Sequence, residues 1–206
     1  METPLDSPME RALTLAWEAY CAGSFPVGCV IADGHGIIVA EGRNRVGDAD
    51  APPGRMRSTA IAHAEIDALS QLPMGDYSQF VLYTSLEPCL LCRSATLLSG
   101  IGTVRFLAAD GLWDGLHRLP ELNEHIERTH PQWDGPGVGA AAVFAGVLPM
   151  AVQLLFSKNP GTIARCERAM PERVAAARRL IAQDRWPSRD LDLYAAIEFV
   201  RPVFTP

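Results

Sequence analysis

An α/β fold is predicted for this 206-residue chain: a mixed central sheet covered by helices on both faces, followed by a helical C-terminal extension. Three observations predict it. Up to residue 110, short apolar runs of strand length alternate with longer segments of helical period. The first two runs are joined by Asp33-Gly34-His35-Gly36, a sequence suited to a hairpin turn. Beyond Asp110 the pattern becomes helical, with prolines marking the breaks.

The elements follow in order. Ser7-Pro8-Met9-Glu10 reads as a capping box with proline at the first helical position. Met9, Leu13, Ala16 and Tyr20 then form an apolar stripe that Gly23 stops. Residues 27–32 and 37–41 are the strands of the hairpin, and His35 is a turn residue between them. Residues 61–72 predict a helix ended by Pro73, and residues 80–85 a buried strand. That strand leads directly into a helix at Cys89, closed by Gly100, and residues 103–108 form another strand. Helices are predicted over 120–129, 171–183 and 189–200, with breaks at Pro131, Pro136 and Asn159-Pro160-Gly161. His117, His125 and His130 of this half read as surface or core residues. Residues 137–156 contain only Gln153 as a polar side chain and approach the length of a membrane span. Pro149 interrupts that run and no basic anchor closely precedes it, so a buried helix–kink–helix pair is expected instead. No repeat and no second domain is visible. Residues 1–206 are expected to form one domain, with a core over 1–110 and an extension over 111–206.

The hydrophobic content of 48% supports a sizeable core. The formal net charge is −6, with a single lysine, Lys158. That balance argues against a protein gripping nucleic-acid phosphates, where a basic face supplies most of the attraction. Five cysteines, an odd number, do not resemble a secreted disulfide framework, and the acidic N-terminus lacks signal-peptide regions. A cytoplasmic location without membrane attachment is the expectation.

Two short motifs carry the chemistry: His63-Ala64-Glu65, and Pro88-Cys89-Leu90-Leu91-Cys92. Either half alone arises by chance, whereas both in this order, each opening a helix, are specific. Cys89 and Cys92 lie three apart, so their sulfurs face one way on a helix and can share one ion. Pro88 suits the first helical turn, and the helix dipole there favours the thiolates that zinc requires. His63 adds a nitrogen ligand. Three protein ligands leave a fourth position for water, as in catalytic zinc sites. Glu65, two residues from His63, can reach that water only near a helix entrance. A structural zinc and a redox dithiol are the competing readings. Cys21, Cys29 and Cys166 lack the paired spacing that a structural zinc site would normally use.

With these motifs the chain resembles the cytidine deaminase-like superfamily, in the branch that holds guanine, cytosine and tRNA adenosine deaminases. The resemblance is carried by Pro26-Val27-Gly28-Cys29-Val30-Ile31, Gly42-Arg43-Asn44-Arg45, Ala62-His63-Ala64-Glu65-Ile66 and Ser85-Leu86-Glu87-Pro88-Cys89-Leu90-Leu91-Cys92. It spans residues 8–110 and implies a three-layer α/β/α sandwich, Zn2+ on His63, Cys89 and Cys92, Glu65 as proton shuttle, and a homodimer. It also implies substrate contact by Asn44, with Ala64, Ser85 and Glu87 flanking the pocket. Asn44 is otherwise a turn residue, and Glu87 a charge favouring the helix dipole. Phe25 and Trp113, before the first strand and after the last, are candidate stacking surfaces for a ring, or packing residues. Two departures from the branch bear on substrate. The 46–58 loop is long and rich in Gly and Pro, and Ser58-Thr59-Ala60-Ile61 stands where tRNA adenosine deaminases commonly carry Asp-Pro-Thr. The resemblance also stops short of residues 111–206. The expected activity is zinc-dependent deamination of a small heterocycle: guanine, cytosine, an isomer, an s-triazine analogue or a nucleoside. A tRNA adenosine deaminase is the alternative enzyme. A structural-zinc interaction protein using residues 138–156 as its contact surface is the alternative without catalysis.

Overall fold

The computed structural model describes residues 5–157 and 159–204, so Lys158 lies outside the described residues. The element order is α1 (Ser7–Cys21), β1 (Gly28–Ala32), β2 (Ile38–Arg43), α2 (Ala64–Leu69), β3 (Val81–Leu86), α3 (Leu90–Ser99) and β4 (Thr103–Ala108). After two short 3-10 turns come α4 (Glu124–Thr129), β5 (Gln132–Asp134), α5 (Ala140–Phe156), α6 (Pro160–Ala169), α7 (Pro171–Ala182) and α8 (Leu193–Val200). The strands form one mixed sheet in the order β2-β1-β3-β4-β5. β1 pairs antiparallel with β2 and with β3, while β3–β4 and β4–β5 are parallel.

Alternation along the strands builds the layers, because successive side chains point to opposite faces. Val30, Ala32 and Tyr83 join a core with α1, α5, α7 and α8. Cys29, Ile31 and Leu82 join the other core, with Ala64, Ala68 and Leu69 of α2. The α/β/α sandwich is therefore present, and the extension helices supply most of one outer layer. They are bound to α1 by polar contacts as well: Trp17 Nε1 donates to the Leu191 carbonyl at 2.9 Å and the Tyr20 hydroxyl to Pro187 at 3.3 Å.

Two glycines let helices close on the sheet. A Cβ at Gly28 would stand 2.2 Å from the Ala12 carbonyl oxygen of α1, and one at Gly42 the same distance from that of Ala64 in α2. No other residue permits such contact between backbones. Gly42 thus fixes how closely α2 rides on β2.

Several local expectations change. Asp6, not Ser7, caps α1, its carboxylate accepting from Met9 N at 3.1 Å, because the cap must stand outside the first turn. The helix expected over 61–72 is only Ala64–Leu69; residues before it turn through Thr59–His63. The expected 120–129 helix is divided at Asn123, whose side chain caps α4 by accepting from Ile126 N at 3.0 Å. Asn159-Pro160-Gly161, expected as a break, starts α6 with Asn159 as cap and Pro160 in its first turn. The three-residue β5 was not expected. α8 begins at Leu193 behind an Asp192 cap rather than at 189. The apolar run forms one continuous helix, α5, with Pro149 buried inside it, rather than a helix–kink–helix pair. Among the described residues no helix is long and apolar enough to cross a membrane.

Candidate metal centre and cavity

The site forms where β2 and β3 end and α2 and α3 begin. His63 is the extended residue that caps α2, and Cys89 stands in the same position before α3. Pro88, expected in the first turn, stands two residues before the first helical residue: Cys89 is the cap and Cys92 the third helical residue. Both sulfurs still converge. Cys89 Sγ lies 3.6 Å from Cys92 Sγ and 3.5 Å from His63 Nδ1, and Cys92 Sγ lies 3.4 Å from that nitrogen. Tetrahedral zinc, with bonds of about 2.3 Å to sulfur and about 2.0 Å to nitrogen, would set these separations near ~3.8 Å and ~3.5 Å. The three donors fit the ion, and they are the cluster capable of holding a metal among the described residues.

Glu65 lies in the first turn of α2, is 4% exposed, and has Oε2 3.2 Å from Cys92 Sγ. The helix entrance brings it beside the donors, as the two-residue spacing from His63 requires. Burial raises the Glu65 carboxyl above its ordinary range. The Cys89 hydrogen bond raises the His63 imidazole, which the Ala60 carbonyl also holds. The two thiols move in opposite directions. Cys89 is brought down to about 4, chiefly by its hydrogen bond with Cys92, whereas the Cys89 interaction and burial drive Cys92 upward. One proton shared between two sulfurs produces that pattern, and a metal ion takes its place when both become thiolates.

A cavity of about 630 Å³ adjoins the donors: His63, Cys89 and Glu65 line it, while Cys92 is fully buried behind them. Phe25, Val27, Val46, Leu86, Leu112 and Trp113 supply apolar lining. Phe25, Trp113, Asn44 and Glu87 therefore reach the cavity that the sequence motifs pointed to. Asn44 is 4% exposed, and its Oδ1 accepts from the Ser24 hydroxyl at 3.1 Å and Val46 N at 3.0 Å. This network directs the oxygen inward to the protein and leaves the NH2 group as the donor available to a ligand. Glu87 has both oxygens engaged, one by Arg93 and the other by Asp110 N at 2.8 Å. Arg93 also donates to the Pro88 carbonyl at 3.2 Å and stacks 3.8 Å from the Trp133 ring centroid. Glu87 is thus part of a clamp on the segment entering α3. Ala64 and Ser85 are fully buried and absent from the lining. Ser85 Oγ accepts from Gly28 N at 3.1 Å, so its hydroxyl ties β3 to β1 instead of facing the cavity.

Other lining residues had no motif to signal them. Ala60 comes from the turn before His63, and Asp110 and Leu112 from the end of β4; Gln153, Thr162 and Arg165 come from α5 and α6. The long 46–58 loop is held by charge. Asp48 pairs with Arg43 at 2.6 Å and Arg45 at 3.1 Å; Asp67 of α2 pairs with Arg45 at 3.2 Å and Arg55 at 2.9 Å. Both carboxylates are buried. The network fixes the strand exit on which Asn44 stands.

Comparison with known proteins agrees with this geometry. A family profile described as "Cytidine and deoxycytidylate deaminase zinc-binding region" matches residues 3–108. The chain is 39% identical over 92 residues to the guanine deaminase of Bacillus subtilis, covering 42% of this chain and 53% of that one. It is 31% identical over 100 residues to the cytosine deaminase of Candida albicans, covering 47% and 61%. Against the tRNA-specific adenosine deaminase of Haemophilus influenzae it is 36% identical over 106 residues, covering 50% and 57%. The chain thus spans little more than half the length of these curated relatives. A solved guanine deaminase from Nitrosomonas europaea superposes with a TM-score of 0.50 at 25% identity, covering 70% of this chain and 84% of the other. By motif, fold and profile, the chain belongs to the cytidine and deoxycytidylate deaminase zinc-binding family.

Proposed function

We propose that the protein is a zinc-dependent hydrolytic deaminase of a small aminated heterocycle, with His63, Cys89 and Cys92 as ligands and Glu65 as proton shuttle. One observation carries this reading: three converging donors with a buried carboxylate beside them at the side of a ring-sized cavity. Zinc held there would make water acidic near neutral pH. The reaction adds water to the ring carbon bearing the amino group, breaks the C–N bond and leaves a carbonyl and ammonia. Glu65 Oε2 takes a proton from the attacking water, delivers it to a ring nitrogen, and carries a second one to the departing ammonia. The raised carboxyl supports that cycle, because raising a carboxyl moves it toward the working pH at which it can both take up and return a proton. Asn44 orients the ring through its NH2 group, and Phe25 and Trp113 supply apolar faces for it.

The net charge of −6 and a cavity wall built from α5 and α6 support a small substrate over a polynucleotide. Two of the donors and Glu65 lining a cavity likewise support catalysis over a structural zinc. The test is metal analysis together with ammonia release from a panel of guanine, cytosine, adenine, their nucleosides and aminotriazines, plus an anticodon stem-loop assayed for inosine. One zinc per chain with ammonia from a small heterocycle is expected. Inosine in the stem-loop alone would replace this reading with the tRNA one, and bound zinc without ammonia or inosine would leave a structural site.

A further inference from the structure

We propose that the substrate carries an anionic group, a phosphate monoester or a carboxylate, on the side of the ring away from the metal ligands, and that Arg165 receives it with Thr162 and Gln153. The proposal rests on the deaminase reading above and narrows its substrate class.

The cavity lining comes from two parts of the chain with unlike chemistry. The metal ligands and the apolar lining belong to the sheet and the loops at its end. The extension supplies a polar face: Gln153 from α5, and Thr162 and Arg165 one turn apart on α6. Arg165 Nη2 donates to Thr162 Oγ1 at 3.1 Å, which orients the guanidinium and uses one of its five N–H donors. Among the described residues no carboxylate lies within ion-pairing distance of it.

Other arginines around the site differ. Arg43 and Arg45 are paired with Asp48, Arg55 with Asp67, and Arg93 with Glu87. The acidic lining is accounted for as well: Glu65 adjoins the metal donors, Glu87 is balanced by Arg93, and Asp110 is faced by the charge of Arg173. Arg165 is therefore the uncompensated charge on the lining. A guanidinium with free donors at a cavity wall matches a phosphate or carboxylate, to which it can bond through two N–H groups at once.

Size points the same way. A cavity of about 630 Å³ has room for roughly twenty waters at ~30 Å³ each. A bare base fills only part of that volume, and a ring bearing a sugar phosphate or an acidic arm fills more of it.

The test compares matched substrates: cytidine with CMP, guanosine with GMP, and cytosine with 5-carboxycytosine. Each is assayed for kcat/KM by ammonia release and for binding by calorimetry, on the zinc-loaded wild type and on Arg165→Ala and Arg165→Lys. The expected result is a preference for the anionic member of at least one pair. In Arg165→Ala the ratio of anionic to neutral kcat/KM falls about 10- to 100-fold, the usual effect of truncating a charged hydrogen bond, and Arg165→Lys restores part of it. The phosphate pairs and the carboxylate pair show which anion the wall accepts. Equal or better use and binding of the neutral members in every pair would overturn the proposal. So would an Arg165→Ala ratio unchanged from wild type, or deamination confined to an anticodon stem-loop. If no compound releases ammonia but anionic members bind more tightly and lose that advantage in Arg165→Ala, the anion subsite stands and the deaminase reading falls.

Discussion

Under the proposed function, Glu65 and the three donors it adjoins divide metal binding from chemistry. Glu65 is no ligand in the converging set, so Glu65→Ala should keep about one zinc per chain while losing turnover. The loss should be about 10²–10⁴-fold, the typical contribution of positioned proton transfer. Metal content and ammonia release measured on the same preparation check it. Cys89→Ala should lose the metal itself. Asp110 offers a pH signature. Burial raises its carboxyl above the ordinary range despite the Arg173 charge, so the native protein binds a proton there that the unfolded chain releases. Its contribution to stability is therefore best below the ordinary aspartate range and declines as pH rises through the raised value. Asp110→Asn, which mimics the protonated form and can still accept from Leu112 N, should stabilise the protein at neutral pH. Urea unfolding at pH 7 and near pH 3.5 should show that gain shrinking at the lower pH. The donors and Glu65 were legible in sequence because a metal demands a fixed set of atoms at fixed separations. Which way the Ser85 hydroxyl and the Glu87 carboxylate turn was not legible, since family position does not say it. Their partners, Gly28 N, Arg93 and Asp110 N, belong to other elements, and two of them are far away in sequence.

At the scale of elements, α2 is short, and its position depends on two contacts. Gly42 lets its backbone settle on β2, and Asp67 anchors it to Arg45 and Arg55. Gly42→Ala should push α2 off the sheet, separating His63 from the sulfurs. Zinc affinity should fall by at least about tenfold, as for loss of residues that orient ligands; equilibrium dialysis measures it. Asp67→Ala leaves Arg55 without its buried partner and Arg45 with Asp48 alone, and should cost about 3 kcal/mol in denaturant unfolding. The strands and the two metal-bearing helices were readable because alternation and caps are local signals. α6 was not, because Asn-Pro-Gly suits both a turn and a helix start, and the packing of Cys166 into the core decides between them. β5 is three residues long and carries no periodicity at all.

Across the whole molecule, one core runs from Met9 on α1 to Val203 near the end of the described chain. The metal joins the entrances of α2 and α3, so it should stabilise the fold as well as the site. At a free zinc concentration one hundred times its Kd, binding adds about 2.7 kcal/mol. Chelation should therefore lower Tm by roughly 5–10 °C, measured by calorimetry with and without added zinc. The homodimer that the family resemblance implies can be tested at α3, where Leu90, Leu91 and Leu98 are exposed. Light scattering should give twice the chain mass for wild type and a lower value for Leu98→Asp.

The origin of the cavity walls has a practical consequence. The metal donors and Glu65 sit at the entrances of α2 and α3, while α6 adds to the cavity wall from a separate part of the chain. Side chains on α6 can be exchanged without disturbing the coordination of the metal. A library restricted to positions 162 and 165 is therefore a route to changing which rings the cavity takes, with the metal donors left as they are.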